Sequence, residues 1–109
     1  MQEDQTYIQD VAKHEGQEVT LKGWLLRSTD KGRLQFLMLR DGTGFIQCVV
    51  FQKAVSPETF ENARRVTQES SLIVRGNVRK EPRAPGGYEL DAVDVQIVGL
   101  RRKLGSAGS

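Results

Sequence analysis

Two side chains near the middle of the chain, Phe36 and Gln47, are the best candidates for chemistry at a surface. Each lies in a run of alternating apolar residues, Leu34–Arg40 and Gly44–Phe51, and the turn Asp41-Gly42-Thr43-Gly44 joins the two runs. On a sheet surface, a ring can stack on a nucleobase and an amide offers a donor and an acceptor to a base edge. The competing interpretations are that Phe36 pads the sheet under a loop and that Gln47 is an ordinary solvated strand residue.

Positive charge is concentrated in two segments beside these runs. Residues 27–33 (RSTDKGR) predict a turn-rich basic loop, and residues 80–87 (KEPRAPGG) predict a second, stiffer one. The net charge is +2, but residues 101–103 (RRK) supply three positives, so residues 1–100 sum to 13 − 14 = −1. Overall charge therefore gives no argument for nucleic acid, and the case depends on where the positives lie.

The residues typical of catalysis and metal binding are missing. Cys48, the only cysteine, lies in an apolar run, which favours a core thiol over a nucleophile. His14, the only histidine, has no second ligand pattern beside it, so we expect neither a metal nor a cofactor. Because no apolar run approaches the roughly 20 residues of a membrane span, and the first residues are too polar for a signal peptide, we expect a cytoplasmic protein with no membrane association.

The same alternation predicts the remaining elements. A first strand includes Val19 to Trp24, a fourth spans Ser70–Arg79, and a fifth follows Gly87 with a slip of its apolar phase at Ala92 and Val93 that indicates a bulge. For Trp24, packing against apolar neighbours is favoured over stacking on a ligand.

Two helices are expected beside these strands. Thr6 can cap a short N-terminal helix that covers one end of the sheet. Ser56-Pro57-Glu58 is typical of the start of a longer helix between strands 3 and 4.

Five strands with these two helices predict an all-β fold, a five-stranded OB-fold barrel. In such barrels the exposed face of strands 2 and 3, between the loops that follow strands 1 and 4, binds oligonucleotides. The two basic segments fall on those two loops. This coincidence favours a nucleic-acid-binding face around Phe36.

Three motifs resemble the N-terminal anticodon-binding domain of asparaginyl-tRNA synthetase, with aspartyl-tRNA synthetase the close second. They are VTLKGWLLRSTDKGRLQFLMLRDGTGFIQCVVF, TQESSLIVRGNVR and RAPGGYEL. The likeness covers residues 7–98 and implies that the partner is a tRNA anticodon loop of the asparagine type. It also implies full-length homodimers with a separate large domain for ATP and amino-acid activation, so the chain alone is not expected to be an enzyme.

The resemblance also implies roles for individual residues. Phe36 stands where the family's aromatic stacks on the central uridine, Gln47 where a glutamine recognises base edges, and Glu89 where an acidic residue lies near the anticodon. Contacts to phosphates are expected from Arg27, Lys31, Arg33, Arg75, Arg79 and Arg83. Thr29 is a departure, since relatives often carry an anticodon-contacting arginine there, and it argues against tight binding to tRNA.

We assign residues 1–100 to the OB-fold anticodon-binding domain and residues 101–109 to a basic tail and expression linker. Three alternatives stay open. The first is an engineered or reconstructed OB-fold scaffold with a protein-binding or self-assembly role, which the near-neutral charge favours. The second is an anticodon domain of the aspartyl type, and the third is a general binder of single-stranded DNA.

Overall fold

A computed structural model describes residues 5–99 of the chain. In order, the elements are a 3₁₀ helix at Ile8–His14, strands β1 (Glu18–Lys31), β2 (Leu34–Arg40) and β3 (Phe45–Phe51), a 3₁₀ turn at Gln52–Ala54, helix α1 (Pro57–Arg65), strand β4 (Ser71–Lys80), a 3₁₀ turn at Pro85–Gly87 and strand β5 (Tyr88–Gly99). The strands close into a barrel in the order β1-β2-β3-β5-β4. The predicted five-stranded OB-fold barrel is confirmed.

Strand β1 is long enough to belong to two walls of the barrel. Its first half pairs with β4 and its second half with β2, both antiparallel, and the register shifts between Leu25 and Arg27. The parallel pairing of β3 with β5 closes the cylinder. A bulge bends the strand locally, which allows its two halves to belong to two walls of the barrel.

The alternation in β2 and β3 sorts the side chains as expected. In β2, Leu37 and Leu39 are fully buried, while Phe36 points to the outer side and is half-buried. In β3, Ile46 and Val50 are buried and Gln47 lies on the outer side. The predicted faces of both strands are therefore confirmed.

Two glycines allow the backbones to approach each other closely. A Cβ atom at Gly23 would overlap the carbonyl oxygen of Arg40, and one at Gly76 would overlap that of Asp91. The predicted slip in β5 is confirmed as well, because the register between β4 and β5 jumps and leaves Val93 unpaired. These features bend the strands enough to close a small barrel.

The N-terminal helix begins differently from the prediction. Thr6 does not cap it, since its backbone N–H donates to the carbonyl oxygen of Thr20 and no side chain of the preceding segment caps the first turn. Instead, the N–H of Ile8 donates to Asp41 Oδ2 at 2.8 Å and the N–H of Gln9 donates to Thr43 Oγ1 at 3.1 Å. The turn between β2 and β3 therefore fixes the start of this helix.

Helix α1 begins as predicted and packs on the barrel. Ser56 Oγ accepts from the N–H of Thr59 at 3.1 Å, and Phe60 and Ala63 are buried. Asn62 Nδ2 donates to the carbonyl oxygen of Val95 at 3.0 Å, which ties the helix to β5. No helix within residues 5–99 is long and apolar enough to cross a membrane. The predicted tail, residues 101–109, lies outside the described residues.

Candidate nucleic-acid interface

The sheet register brings Phe36, Gln47 and Glu89 onto one outer face. Gln47 lies directly opposite Glu89 across the parallel pair, while Phe36 pairs with Val49, two residues along from Gln47. Side chains at paired positions leave the sheet on the same side, so Phe36 and Gln47 are diagonal neighbours. All three of the residues singled out from the sequence are partly accessible here.

A hydrogen bond fixes the amide of Gln47. Its Nε2 donates to Glu89 Oε2 at 2.9 Å, and the Glu89 side chain is only 12% exposed. The reverse orientation would place the amide oxygen against a carboxylate oxygen, and two acceptors repel. The amide therefore keeps its carbonyl oxygen and its second N–H available for a ligand.

Arg79 lies at the centre of what we call the carboxylate cluster: Glu81, Glu89 and Asp91. Its Nε and Nη2 donate to the two oxygens of Asp91 at 2.9 and 3.1 Å. Its Nη2 also donates to Glu89 Oε1 at 2.7 Å, and its Nη1 donates to Glu81 Oε1 at 3.3 Å. The hydrogen bond to Asp91, followed by that to Glu89, raises the pKa of Arg79 above its ordinary value, so the guanidinium keeps its charge.

The carboxylate cluster is acidic, although the rim after strand 4 was expected to be basic, and the exposed Lys80 and Arg83 lie beside it. One guanidinium meets three carboxylates, a sum of 1 − 3 = −2. The basic segment at residues 80–87 gave no sign of this result because Glu89 and Asp91 come from the neighbouring strand. A signal for them was present, since buried Leu90 between them places both carboxylates on the outer side.

The segment between β1 and β2 is a tight hairpin and not the loop expected over residues 27–33. Strand β1 continues to Lys31, which pairs with Leu34. Only two residues turn the chain, and Gly32 has the positive φ of 72° that such a turn requires. Asp30 Oδ1 accepts from the N–H of Gly32 at 2.9 Å and from Gln35 Nε2 at 2.7 Å. The bond from Gln35, then that from Gly32, lowers the pKa of the Asp30 carboxyl.

Three of the predicted phosphate-binding residues lie on this hairpin. The side chains of Arg27, Lys31 and Arg33 are exposed and make no hydrogen bond or ion pair to any residue within the described part of the chain. Arg27 is the cross-strand partner of Met38, which in turn pairs with Gln47. The hairpin therefore places unneutralised positive charge beside the glutamine.

Of the other three predicted phosphate contacts, Arg79 is held in the carboxylate cluster, and the remaining two lie elsewhere. Arg75 is on the wall formed by β1, β4 and β5, where its Nη1 donates to Glu18 Oε2 at 2.8 Å, and this hydrogen bond raises its pKa. The structure does not bring Arg75 to the face of Phe36. Arg83 is exposed in the turn between β4 and β5, where its backbone N–H donates to Glu81 Oε2 at 3.3 Å.

The one thiol that the sequence offered for chemistry lies inside the barrel. Cys48 is fully buried, and burial raises the pKa of its thiol to about 12, so it remains protonated and inaccessible. No group of three or more His, Cys, Asp or Glu residues within residues 5–99 could hold a metal ion.

Comparison with known families gives the class of protein. Residues 19–98 match the tRNA anti-codon family, an OB-fold nucleic acid binding domain. The matched segment includes all five strands except one residue at each end, together with Phe36, Gln47 and Glu89. The chain belongs to this family.

The relatives are more specific. Asparagine–tRNA ligase of Koribacter versatilis is 54% identical over 91 residues, which cover 84% of this chain and 21% of that protein. The asparagine–tRNA ligase of Chloroflexus aurantiacus is 52% identical over 92 residues, again 84% of this chain and 21% of the relative. This chain thus spans about a fifth of the length of these relatives. The resemblance to the asparaginyl-tRNA synthetase group is confirmed.

Solved structures agree with the sequence relatives. Asparaginyl-tRNA synthetase from Pyrococcus horikoshii, complexed with asparaginyl-adenylate, superposes with a TM-score of 0.84 at 38% identity, over 93% of this chain and 23% of that one. An OBody bound to hen egg-white lysozyme superposes with a TM-score of 0.80 at 16% identity, over 93% of this chain and 98% of that one. At that identity the second likeness shows the fold alone.

Proposed function

We propose that this chain is a tRNA anticodon-binding module of an asparaginyl-tRNA synthetase and that its outer face holds the unpaired bases of the asparagine anticodon loop. The observation that carries the proposal is the juxtaposition of a half-buried ring, an oriented amide and unpartnered cations on neighbouring strands. Family membership and relatives named asparagine–tRNA ligases support it. In a protein of the relatives' length, we infer that this module supplies tRNA binding and not the ligation step.

Phe36 supplies the stacking surface. It is anchored in β2 between buried Gln35 and fully buried Leu37, so its ring is held at a defined place on the face. Stacking of a base on an exposed aromatic contributes about 1–3 kcal/mol and tolerates any base. The ring therefore gives affinity, and selectivity has to come from its neighbours.

Gln47 and Glu89 supply the selectivity. Each oxygen of Glu89 already accepts one hydrogen bond, from Arg79 or Gln47, and retains a lone pair for a base N–H. Gln47 adds a carbonyl acceptor and a second N–H beside it. Uracil, whose N3–H lies between two carbonyl oxygens, can satisfy this set of donors and acceptors. We therefore assign the two residues to the central uridine of the anticodon.

The charges define the direction of the RNA backbone on the face. The carboxylate cluster repels phosphates, whereas Arg27, Lys31 and Arg33 attract them. The sugar–phosphate chain then follows the β1–β2 hairpin, and the base edges point toward β5. In this arrangement Arg79 orients Glu89 instead of binding a phosphate, and Arg75 makes no contact.

Replacing Phe36 with alanine tests the proposal. We expect Phe36→Ala to weaken binding of the asparagine anticodon stem-loop by about 1–3 kcal/mol, measured by fluorescence anisotropy of labelled RNA. Phe51→Ala is the matched control, because Phe51 is another outward phenylalanine of the neighbouring strand and is 39% exposed. Equal binding by the parent and Phe36→Ala would refute the assignment of the ring.

The same titrations address the alternatives left open by the sequence. Asparagine and aspartate anticodons differ only in their third base, so titrations with the two stem-loops distinguish the asparaginyl from the aspartyl hypothesis. Titrations with an unrelated loop and a DNA oligomer test the hypothesis of a general single-strand binder. The likeness to the OBody shows only the fold, so it gives no support to the hypothesis of a protein-binding scaffold. That hypothesis would require partner binding or self-assembly that persists after nuclease treatment.

A further inference from the structure

A second group of flat side chains lies on the same outer face, and we call Trp24, Arg40 and Phe45 the aromatic row. Trp24 pairs with Arg40, and Arg40 pairs with Phe45, so the three side chains stand side by side on β1, β2 and β3. Trp24 is 42% exposed and Phe45 is 49% exposed. Two large rings therefore face water on β1 and β3, with Arg40 on β2 between them, and such exposed apolar groups are typical of a binding surface.

Arg40 connects the row electrostatically. Its guanidinium carbon lies 5.7 Å from the centroid of the Trp24 ring, within the range of a cation–π contact. No hydrogen bond or ion pair joins the Arg40 side chain to any other described residue. Its positive charge is therefore held in place by a ring and is left without an anionic partner.

The row continues the site around Gln47. Along β3, Phe45 precedes Gln47 by two residues, and along β2, Arg40 follows Phe36 by four. At about 3.3 Å per residue these separations are roughly 7 Å and 13 Å. Met38 and Gln47 occupy the level between the row and Phe36, so one continuous face contains both.

We propose that the aromatic row binds a nucleotide that flanks the bases held by Phe36, Gln47 and Glu89. This inference rests on the function proposed above and adds a second stacking position to it. OB folds bind about 4–16 nucleotides, more than an anticodon triplet, so a single ring is not expected to complete the site. The exposed ring of Phe45 would stack on the base, and Arg40 would neutralise its phosphate.

Charge favours RNA over a peptide as the occupant of the row. The unpartnered cations on this side of the face, Arg27 and Arg40, suit a polyanion. The carboxylate cluster lies further around the barrel on β5 and β4, so it does not oppose an anion at β1 and β2. A flanking nucleotide is also tethered to the bound anticodon, which raises its local concentration at the row.

The fluorescence of Trp24 tests this inference directly, because Trp24 is the only tryptophan in the chain. We expect a seven-nucleotide single strand centred on the asparagine anticodon to quench Trp24 emission as it binds. The anticodon trinucleotide should bind more weakly and leave the emission unchanged. Anisotropy of the labelled RNA provides an independent measure of binding.

Variants of the row sharpen the test. Phe45→Ala and Arg40→Gln should each weaken binding of the heptanucleotide by about fivefold or more, the lower end for a lost base stack, and leave the trinucleotide unaffected. The controls are Arg64→Gln, at an exposed arginine of α1, and Phe51→Ala, at the other end of β3. Both controls should bind like the parent.

The outcomes separate this inference from the proposed function. Phe36-dependent binding with unchanged Trp24 emission and a neutral Phe45→Ala would overturn the flanking-nucleotide site and leave the anticodon module standing. An equal loss in Phe51→Ala would overturn it too, because the effect would then not follow the row. If the parent chain bound no RNA at all, both proposals would fail.

Discussion

The two sides of the outer face carry arginines that differ completely in their surroundings. On the β1–β2 hairpin, Arg27 and Arg33 are exposed and meet no carboxylate among the described residues. On the β4–β5 side, Arg79 donates to carboxylates of three residues. Arginines of both kinds look alike in the sequence, but the first kind attracts an anion and the second kind builds a fixed hydrogen-bonding surface.

In the function proposed above, this difference would allow a domain with almost no net charge to bind a polyanion. Residues 1–100 sum to −1, so long-range attraction is weak. The basic hairpin and the acidic cluster instead give the face an electrostatic potential that changes sign from one side to the other. In the proposed complex, the phosphates and the base edges of one RNA strand would be drawn to opposite sides of the face.

The largest expected effect on selectivity comes from removing the guanidinium that holds the carboxylate cluster. Arg79→Met leaves three carboxylates without their cation and releases Glu89, so we expect selectivity for the asparagine stem-loop over an unrelated loop to fall about tenfold, or about 1.4 kcal/mol. The salt dependence of binding should stay as in the parent. Both are measured by anisotropy titrations at two salt concentrations.

The matched control is Arg75→Met, since Arg75 is also ion-paired but lies on another wall. It should change neither selectivity nor salt dependence. If Arg79→Met instead kept its selectivity and reduced the salt slope, Arg79 would contact a phosphate, as the sequence-based assignment expected.

On the hairpin side, the expected effect is uniform and electrostatic. Arg27→Met should weaken binding to every loop alike and reduce the slope of log K against log salt by about 0.7, the value for one phosphate contact to a single strand. Thr29→Arg should raise the slope by a similar amount, because Thr29 lies opposite Phe36. A change in base selectivity without a change in slope would contradict this division of roles.

The smallest effect concerns the carboxylate that stabilises the hairpin. Because hydrogen bonds lower the pKa of Asp30 in the folded state, its contribution to stability is present above about pH 4 and is lost as the pH falls through its folded-state pKa. Asp30→Asn should therefore melt below the parent at pH 7 and at the same temperature at pH 2. Thermal melts followed by circular dichroism measure the difference, and a gap that persisted at pH 2 would exclude this carboxylate as its cause.

The local sequence pattern was sufficient to predict the features that depend on a single strand or helix. The faces of β2 and β3, the cap at Ser56 and the bulge at Val93 all follow from neighbouring residues, because alternation and capping act over a few positions. The positions of Phe36 and Gln47 on the outer side were predictable for the same reason.

The local sequence pattern failed where the hydrogen-bonding partner of a group lies far away in the sequence. The helix at Ile8–His14 takes its cap from Asp41 and Thr43, more than 30 residues away, and not from Thr6. The expected loop at residues 27–33 is a hairpin because pairing with β2 continues β1 to Lys31. Turn-forming residues such as Ser, Asp and Gly gave no indication of that pairing.

The sequence by itself determined which side chains leave the barrel and which enter it, since a period of two residues follows from the geometry of a single strand. Only the tertiary structure decided which outward side chains meet. Gln47 and Glu89 are 42 residues apart and become partners where β3 pairs with β5, and the same closure surrounds Arg79 with acids from the adjoining strand. Hydrogen bonds depend on the register between strands, and that register is set when the whole sheet closes.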